Sequence, residues 1–527
     1  MSAKSRKYVL TVDIGTSSTK SALVCSSGEI IDAESEENRL ILCGDGGAEQ
    51  DPDEWWRATV RACKRLLCRK HVPVDDIVAV SCTGQWSGTV AVGRDGGPLM
   101  NALIWMDSRG RKYINEVIDG WFRIRGYGVL KLLRWLRLTG GAPGRSGKDP
   151  IAHILYIKNE HPEIYERTYK FLEPKDYLNL RFTGRFAASF DSIALHWLTD
   201  NRRISDVVYD RRLVDIAKLD GAKLPELKRA VDVLGPIRPE VAAELGLNED
   251  VPVIVGTPDL QSAAVGSGAV GDFVPHLCLG TSSWLTCHVP FKKTDLSANL
   301  AALPSAIPMR YFVANEQGNA GACLTFVKNN IYCAGQGPKD GERADSWAAL
   351  DEIVAKVPAG SNGVIFTPWL YGERTPVEDS SVRASFFNQS LQTTREDLIR
   401  AVYEGVAYNS RWLLECVERF VKRRLDEIRM IGGGARSGIW CQVYADVLDR
   451  TIVQIKDPLW SNLRGAAFIA SVALGHLRFS DVPERVETAG VFKPSMENRK
   501  VYDELFARFK EAYASNKAIY DRLNRVS

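Results

Sequence analysis

The first forty residues alternate short apolar, β-branched runs with turns rich in glycine and serine. Tyr8 to Asp13, Thr19 to Cys25 and Glu29 to Ala33 each read as a strand, and the turns at Gly15 to Ser18 and Ser26-Ser27-Gly28 join them into an expected three-stranded meander. The periodicity then changes to that of a helix from Asp53 to Arg69, with Pro52 suited to a first helical turn. Strand Ile77 to Cys82 follows, and an apolar stretch from Thr89 to Gly93 precedes the turn Arg94-Asp95-Gly96-Gly97-Pro98. Val129 to Leu138 has the spacing of an amphipathic helix with basic residues on its wet face, and Gly140 to Gly144 after it predicts a mobile loop. The strand Val253-Ile254-Val255 ends in Gly256-Thr257-Pro258-Asp259, where one half of the chain is expected to give way to the other. The second half repeats the order. A hairpin spans 276 to 288, a long helix runs from Thr394 to Lys422, and strand Ile428 to Ile431 enters Gly432-Gly433-Gly434-Ala435-Arg436-Ser437. Next, Ile439, Trp440, Val443, Tyr444, Val447 and Leu448 recur at helical spacing, so the glycines are expected to open directly onto a helix. Alternating strands and helices over 527 residues predict an α/β protein of at least two domains.

Composition narrows the class. With 45% hydrophobic and 25% charged residues and a net charge of +3, the chain reads as a soluble globular protein whose principal partner is neither nucleic acid nor membrane. The opening Met1 to Lys7 lacks the apolar segment of a signal peptide and no stretch has the length of a membrane span, so a cytoplasmic location is expected. The 11 cysteines form no C-x-x-C and the seven histidines no H-E-x-x-H, which points to free thiols and no metal cluster. Ten Lys or Arg residues stand between 109 and 148 against two acids, Glu116 and Asp119; a solvated face is the ordinary reading of such a run, a polyanion or membrane-surface patch the other.

Two turns look like copies of one another: Asp13-Ile14-Gly15-Thr16-Ser17-Ser18-Thr19-Lys20 and Leu279-Gly280-Thr281-Ser282-Ser283-Trp284-Leu285. Each aims N–H groups and hydroxyls at one point, as a phosphate chain requires. The first is not a P-loop, because Lys20 stands where that motif needs its second glycine. The Gly432 to Ser437 segment offers a third platform, for a phosphate or a flat ring. Asp259, at the end of a strand at the seam, suits the acceptor of a hydroxyl proton in phosphoryl transfer, or a helix cap. Trp105-Met106-Asp107-Ser108-Arg109 suits a polyol, with the indole against C–H groups and the ionic groups on hydroxyls, or else an ion pair beside a core Trp. Gln85-Trp86-Ser87-Gly88 has the same character.

These residues resemble the FGGY carbohydrate kinases, nearest the xylulokinase-like branch. The likeness runs through Asp13 to Lys20, Ala48-Glu49-Gln50-Asp51-Pro52 with Trp55-Trp56, Gly84-Gln85, Trp105-x-Asp107-x-Arg109 and Pro174-Lys175-Asp176-Tyr177-Leu178. It continues with Asp259, Leu279 to Ser282, Gly372-Glu373-Arg374-Thr375-Pro376, Gly432 to Ser437 with Trp440, and Gly465-Ala466-Ala467. The resemblance implies an actin-like, or ribonuclease-H-like, ATPase fold with a cleft for sugar and MgATP. It implies an N-terminal domain over 7–257, a C-terminal domain over 258–495 and a helical tail over 496–527. By the same analogy Asp259 is the general base and Asp13 holds Mg²⁺ through water. Thr16, Ser17, Ser18 and Lys20 contact phosphates, Gly280 and Thr281 form the second clamp, and Gly433, Gly434 and Ser437 border the adenosine. The sugar is expected at Gln85, Trp86, Ser87, Trp105, Asp107, Asp259 and Leu260.

Two departures fall at that sugar wall. Xylulokinases carry Gln-Met-His-Gly where this chain has Gln85-Trp86-Ser87-Gly88, and usually Asn after the catalytic Asp, where Leu260 stands here; glycerol kinases have Gln there and an Arg-Glu pair at the Trp86-Ser87 positions. The expected function is therefore ATP-dependent phosphorylation of a small sugar or polyol, first a ketopentose, with ribulose, a tetritol or glycerol as alternative acceptors. A non-catalytic nucleotide-binding sensor is the rival from another class, and retention of Asp259, Asp13 and Lys20 argues against it. Pairing as a homodimer is left open.

Overall fold

The computed structural model describes residues 6–332 and 345–524. Its frame is two twisted sheets built on one strand pattern. The first contains β1 (Tyr8–Ile14), β2 (Ser18–Cys25), β3 (Ile30–Glu37), β4 (Ile77–Gly84), β5 (Val233–Pro236) and β6 (Pro252–Ile254), in the order β5-β6-β4-β1-β2-β3. Here β2/β1 is antiparallel, β1/β4 and β4/β6 are parallel, and β6/β5 is antiparallel. The second contains β7 (His276–Leu279), β8 (Ser283–Thr286), β9 (Glu427–Ile431), β10 (Thr451–Ile455) and β11 (Thr488–Phe492), in the order β8-β7-β9-β10-β11. It repeats the same run of antiparallel, parallel, parallel and antiparallel pairs. The duplication suggested by two hairpins thus extends over five strands, with β3 the addition to the first sheet.

The helices used below are α1 (Pro52–Cys68), α2 (Val129–Leu138), α3 (Asp259–Gly266), α4 (Arg395–Val421), α5 (Gly438–Leu448), α6 (Ser461–Ala473) and α7 (Arg499–Leu523). Their ends follow local chemistry. Asp51 accepts from Asp53 N at 2.8 Å to start α1, with Pro52 in its first turn. Thr394 and Asp397 form a reciprocal capping box at the start of α4, which closes on Lys422 in the left-handed region. The first half buries Trp55, Trp56, Tyr177 and Phe182 in one cluster. The second half packs Tyr403, Tyr408 and Tyr444 against Tyr502, Phe506 and Phe509 of α7, so the C-terminal helix is part of that core.

A helix crossing joins the halves at their centre. Helix α3 follows β6 and α6 follows β10, so they are counterparts in the duplication, and they pack on each other backbone to backbone. A Cβ on Gly465 would sit 1.9 Å from the Ser262 carbonyl oxygen, and one on Gly266 only 1.8 Å from that of Ser461. Ser262 Oγ donates across the crossing to the Asn462 carbonyl at 2.7 Å. Around it, Val9 of β1, Ala263, Ile431, Leu463, Ala467 and Phe468 form a cluster shared by both sheets.

Two expectations are corrected. Gly140 and Gly141 are buried and do not form a loose loop; Lys292 of the other half donates to the carbonyls of Leu136 and Arg137 at 2.9 and 2.8 Å, and Thr294 donates to that of Gly140. The glycines marked missing side chains there, while the backbone found its partners in the second half. The three glycines after β9 also do not open directly onto a helix: a short 3₁₀ turn, Gly433–Arg436, intervenes before α5. The ten described cysteines are all free, and no described helix is long and apolar enough to cross a membrane. Cys333, Met1 to Ser5 of the leader reading, and the last three residues of the predicted tail lie outside the described residues.

Gly465→Ala is expected to destabilise the protein by about 1 to 3 kcal/mol, because the added methyl has only fixed backbone to displace. A thermal melt that does not move would show that the two helices can part without cost.

Candidate active site

Asp259 is the first residue of α3, one position inside the cap residue Pro258, and its Oδ1 accepts from Leu260 N at 2.8 Å. Its Oδ2 makes no hydrogen bond to a described residue and is reachable by solvent. Burial, then the nearby charges of Asp13, Glu316 and Glu173, push this carboxyl well above the usual range, with Leu260 N opposing. Asp13 stands near the end of β1, opposite Lys20 of β2. Its Oδ2 accepts from Asn462 Nδ2 at 3.1 Å, while Oδ1 is buried with no partner. Burial raises its pKa, opposed by Lys20 and Asn462. Asn462 lies in the first turn of α6, so the crossing that seats Asp259 also seats the group on Asp13. A lone Asn carries no sequence signal, and only the tertiary fold brings it here.

The two hairpin turns close alike, with Gly15 N donating to Ser18 O at 2.8 Å and Gly280 N to Ser282 O at 3.0 Å. Around them, the hydroxyls of Ser17, Ser18 and Thr281 and the Lys20 ammonium make no hydrogen bond to a described residue. The charges of both Asp259 and Lys20 are felt at Cys278 of β7, which places the first hairpin and α3 close to the second sheet. Thr16 is used differently. Trp105 Nε1–H donates to its hydroxyl at 2.9 Å, that hydroxyl donates to Gln85 Oε1 at 3.3 Å, and Gln50 donates to its carbonyl at 2.8 Å. Gln85 in turn donates to Gln50 at 2.8 Å, so the first hairpin and the Gln85 loop share one network. Gly432, at φ +90°, lies against Leu279, where a Cβ would come 2.7 Å from the carbonyl oxygen; the glycine platform therefore abuts the second hairpin. Gly433 is exposed there and Gly434 half-buried. The Ser437 hydroxyl is committed, accepting from Trp440 N at 3.0 Å to cap α5 and donating to Asp351 at 2.8 Å.

On the other side of Asp259, Trp86 and Leu260 belong to one apolar cluster with Trp197 and Leu303. The Trp86 indole is largely buried and donates to Ser192 O at 2.8 Å. Ser87 adopts φ +68°, a strained conformation for a residue with a side chain, and its hydroxyl donates to Lys148 O at 2.9 Å. The Asp107–Arg109 segment is the ion pair of the two readings, and a buried one. Arg109 donates to Asp107 Oδ2 at 2.6 and 3.0 Å, Ala48 N donates to that same oxygen at 3.0 Å, and Arg109 N donates to Oδ1 at 3.0 Å. Arg109 also reaches Glu49 at 2.6 Å and lies over the Tyr156 ring. Both Asp107 oxygens thus already carry donors.

Glu173 was not foreseen. Its Oε2 accepts from Gly88 N at 2.9 Å and so holds the backbone of the Gln85 to Gly88 loop. Its other oxygen is buried, 3.5 Å from His196. Burial pushes the Glu173 carboxyl well up and His196 down to about 4. Below the Gly256 to Asp259 turn, Lys175 pairs with Asp176, whose carboxyl burial raises to about 7. Lys175 and Asn179 donate to Val255 O at 3.2 and 2.7 Å, and Thr257 donates to Asp191. The sole sequence hint was the adjacent Pro174-Lys175-Asp176 motif.

Two duplicated sheets, a glycine-hydroxyl hairpin at each, and carboxylates between them define a two-domain phosphotransferase of the actin-like ATPase class. Residues 8–266 match the FGGY family of carbohydrate kinases, N-terminal domain, and residues 276–474 match its C-terminal domain; the chain belongs to this family. It is 28% identical over 517 residues to a xylulose kinase of Staphylococcus epidermidis, covering 98% of both chains. It is 25% identical over 507 residues to a gluconokinase of Bacillus licheniformis, covering 95% of this chain and 94% of that one. Its fold matches the crystal structure of gluconate kinase from Lactobacillus acidophilus with a TM-score of 0.85 at 26% identity, over 99% and 100% of the two chains. The chain is an ATP-dependent sugar kinase.

The raised pKa of Asp259 has a consequence for stability. The unfolded chain releases this proton near 3.8, the folded protein only at higher pH, so the native state loses stability as pH rises from the first value to the second and keeps the deficit above it. Asp259→Asn is therefore expected to raise Tm at pH 7 to 8, with the gain shrinking as pH falls towards 4. A lower Tm at pH 7 would mean that the carboxylate is worth more as the acceptor of Leu260 N than it costs as a buried charge.

Proposed function

We propose that the chain transfers the γ-phosphoryl group of ATP to a hydroxyl of D-xylulose or a related ketopentose. The observation that carries this reading is the Oδ2 of Asp259, which has no hydrogen bond to a described residue and lies within reach of the Asp13 charge. In its ionised form Asp259 accepts the proton of the acceptor hydroxyl as the new O–P bond forms and the bond to ADP breaks. The partnerless buried Oδ1 of Asp13 fits a Mg²⁺ held through water, since Mg²⁺ is commonly bound by one or two carboxylates together with substrate phosphates. No cluster of three metal-ligating side chains occurs among the described residues. When bound, the ion neutralises charge on the phosphates. Ser17, Ser18 and Lys20 serve the phosphate chain from one hairpin, Gly280 and Thr281 from the other. Gly433 and Gly434 border the adenosine, with Ser437 shaping that platform through its cap. Thr16 couples the phosphate turn to the acceptor loop. Gln85, Trp86, Ser87, Trp105, Asp107 and Leu260 surround the sugar, Asp107 by orienting Arg109 and Ala48. With Ser87 spent on Lys148 and Leu260 apolar, this wall offers fewer hydrogen bonds to the acceptor.

One observation favours a second acceptor class, the aldonic acids. The half-buried Lys148 ammonium, next to the Ser87 loop and near Arg374 and Glu316, makes no hydrogen bond to a described residue, and burial lowers its pKa. A carboxylate on the acceptor would give it a partner.

ADP release measured over D-xylulose, ribulose, erythritol, glycerol and gluconate separates these readings. A ketopentose is expected to give the highest kcat/KM. Gluconate leading, with the lead lost in Lys148→Met, would favour the acid, and no stimulation by any of them would favour the sensor. Asp259→Asn is expected to lower kcat about 10² to 10⁴-fold with nucleotide affinity nearly unchanged. A mutant retaining more than about a tenth of wild-type kcat would remove Asp259 from the role of base.

A further inference from the structure

The basic segment between Arg109 and Lys148 takes no part in the proposed chemistry beyond Arg109 and Lys148, and its surface is unusual. Trp121 to Arg125 are five consecutive exposed residues, with Trp121 95% and Phe122 73% exposed and their rings stacked on one another. They form one arm of a short hairpin (Arg123–Ile124 paired with Tyr127–Gly128) that leads into α2. The helix turns Leu132, Trp135 and Leu138 inward. Its outer stripe is Leu130, Leu133, Arg134 and Arg137, at i, i+3, i+4 and i+7, with Leu130 83% exposed. The wet face of α2 is thus half apolar, where the sequence suggested a basic one. The two parts are one body: Val129 N donates to Phe122 O at 2.9 Å, and Arg125 is anchored on Leu296 O of the other half at 2.5 Å.

We infer that this hairpin and the outer stripe of α2 form a docking surface for an anionic lipid membrane. An exposed, stacked Trp and Phe, followed by leucines interleaved with arginines, is the side-chain order of an interfacial anchor: apolar groups enter the headgroup boundary and guanidinium groups meet lipid phosphates. Arg123, though paired with Asp119, and Arg125, Arg134, Arg137 and Arg145 give the face its sign, against Asp119 in that pair and Asp295 beside the Leu296 carbonyl that holds Arg125. That sign argues against a second copy of the chain, because a two-fold contact would set this basic face on itself. Five exposed apolar side chains argue against a nucleic acid backbone, which has no apolar counterpart for them. The inference concerns attachment to a surface and is separate from the choice of sugar.

Co-sedimentation of the full chain with vesicles of phosphatidylcholine alone, and of phosphatidylcholine with phosphatidylglycerol, tests it. Binding is expected to the second only and to weaken with salt. Arg134→Gln with Arg137→Gln should weaken it about 20- to 30-fold, roughly fivefold per charge. Trp121→Ser with Phe122→Ser should abolish it while Tm and ADP production without lipid stay at wild-type values. Wild type remaining in the supernatant with both vesicles, equal binding to both, or undiminished binding by the Trp121/Phe122 variant would overturn the inference. So would a dimer in light scattering that the Trp121/Phe122 variant disperses, since the face would then belong to a second copy.

Discussion

The site depends on the place where α3 and α6 touch. At the crossing Gly266 and Gly465 let the two backbones meet at a separation that no rotamer change can adjust. Asp259 begins one helix and Asn462, in the first turn of the other, holds Asp13. The distance between the two carboxylates is therefore a property of backbone packing shared by the two halves. This matters because burial strips both carboxylates of hydration, and the charge of Asp13 disfavours that of Asp259 further. The apolar cluster around the crossing, which joins β1 to Leu463, Ala467 and Phe468, supplies the packing that keeps them together.

The acceptor side follows the same logic. Ser87 is held at a strained φ by a buried carboxylate bound to the next backbone N–H and by its own hydroxyl on Lys148. Beneath it, oxygens of Glu173, Asp176 and Asp191 and both ring nitrogens of His196 are buried without a hydrogen-bond partner among the described residues. Groups of that kind are where ordered water belongs. Strain and unmet polar groups collect under the loop, while the surrounding clusters of Trp55, Tyr177 and Phe182, and of Trp135 and Trp197, are apolar and well buried.

Much of the frame was legible because it is set locally. The first hairpin, α1, α2 and α4 lie within a residue or two of their predicted limits, since strand alternation, Pro52 and the Thr394 cap act over a few residues. The pairing of the two glycine-hydroxyl turns was visible as well, and the matching strand order gives it a structural meaning. What stayed hidden depends on partners distant in sequence. Asn462 and Glu173 look like any surface polar residue until the fold closes around them. The hydroxyl of Thr16, expected among the phosphate ligands, also joins Trp105 and Gln85, partners that its own turn does not reveal. Gly140 reads as loose because the donors to the carbonyls of its segment, Thr294 and Lys292, lie in the other half of the chain.

The most direct test of the central claim is a crystal structure with a non-hydrolysable ATP analogue, Mg²⁺ and a ketopentose. The account predicts the phosphate chain between the Gly15 to Ser18 and Gly280 to Ser282 turns, the metal on the Asp13 side, and an acceptor hydroxyl within hydrogen-bond distance of Asp259 Oδ2. A nucleotide bound outside the space between the two hairpins, or a sugar with no hydroxyl near Asp259, would contradict it.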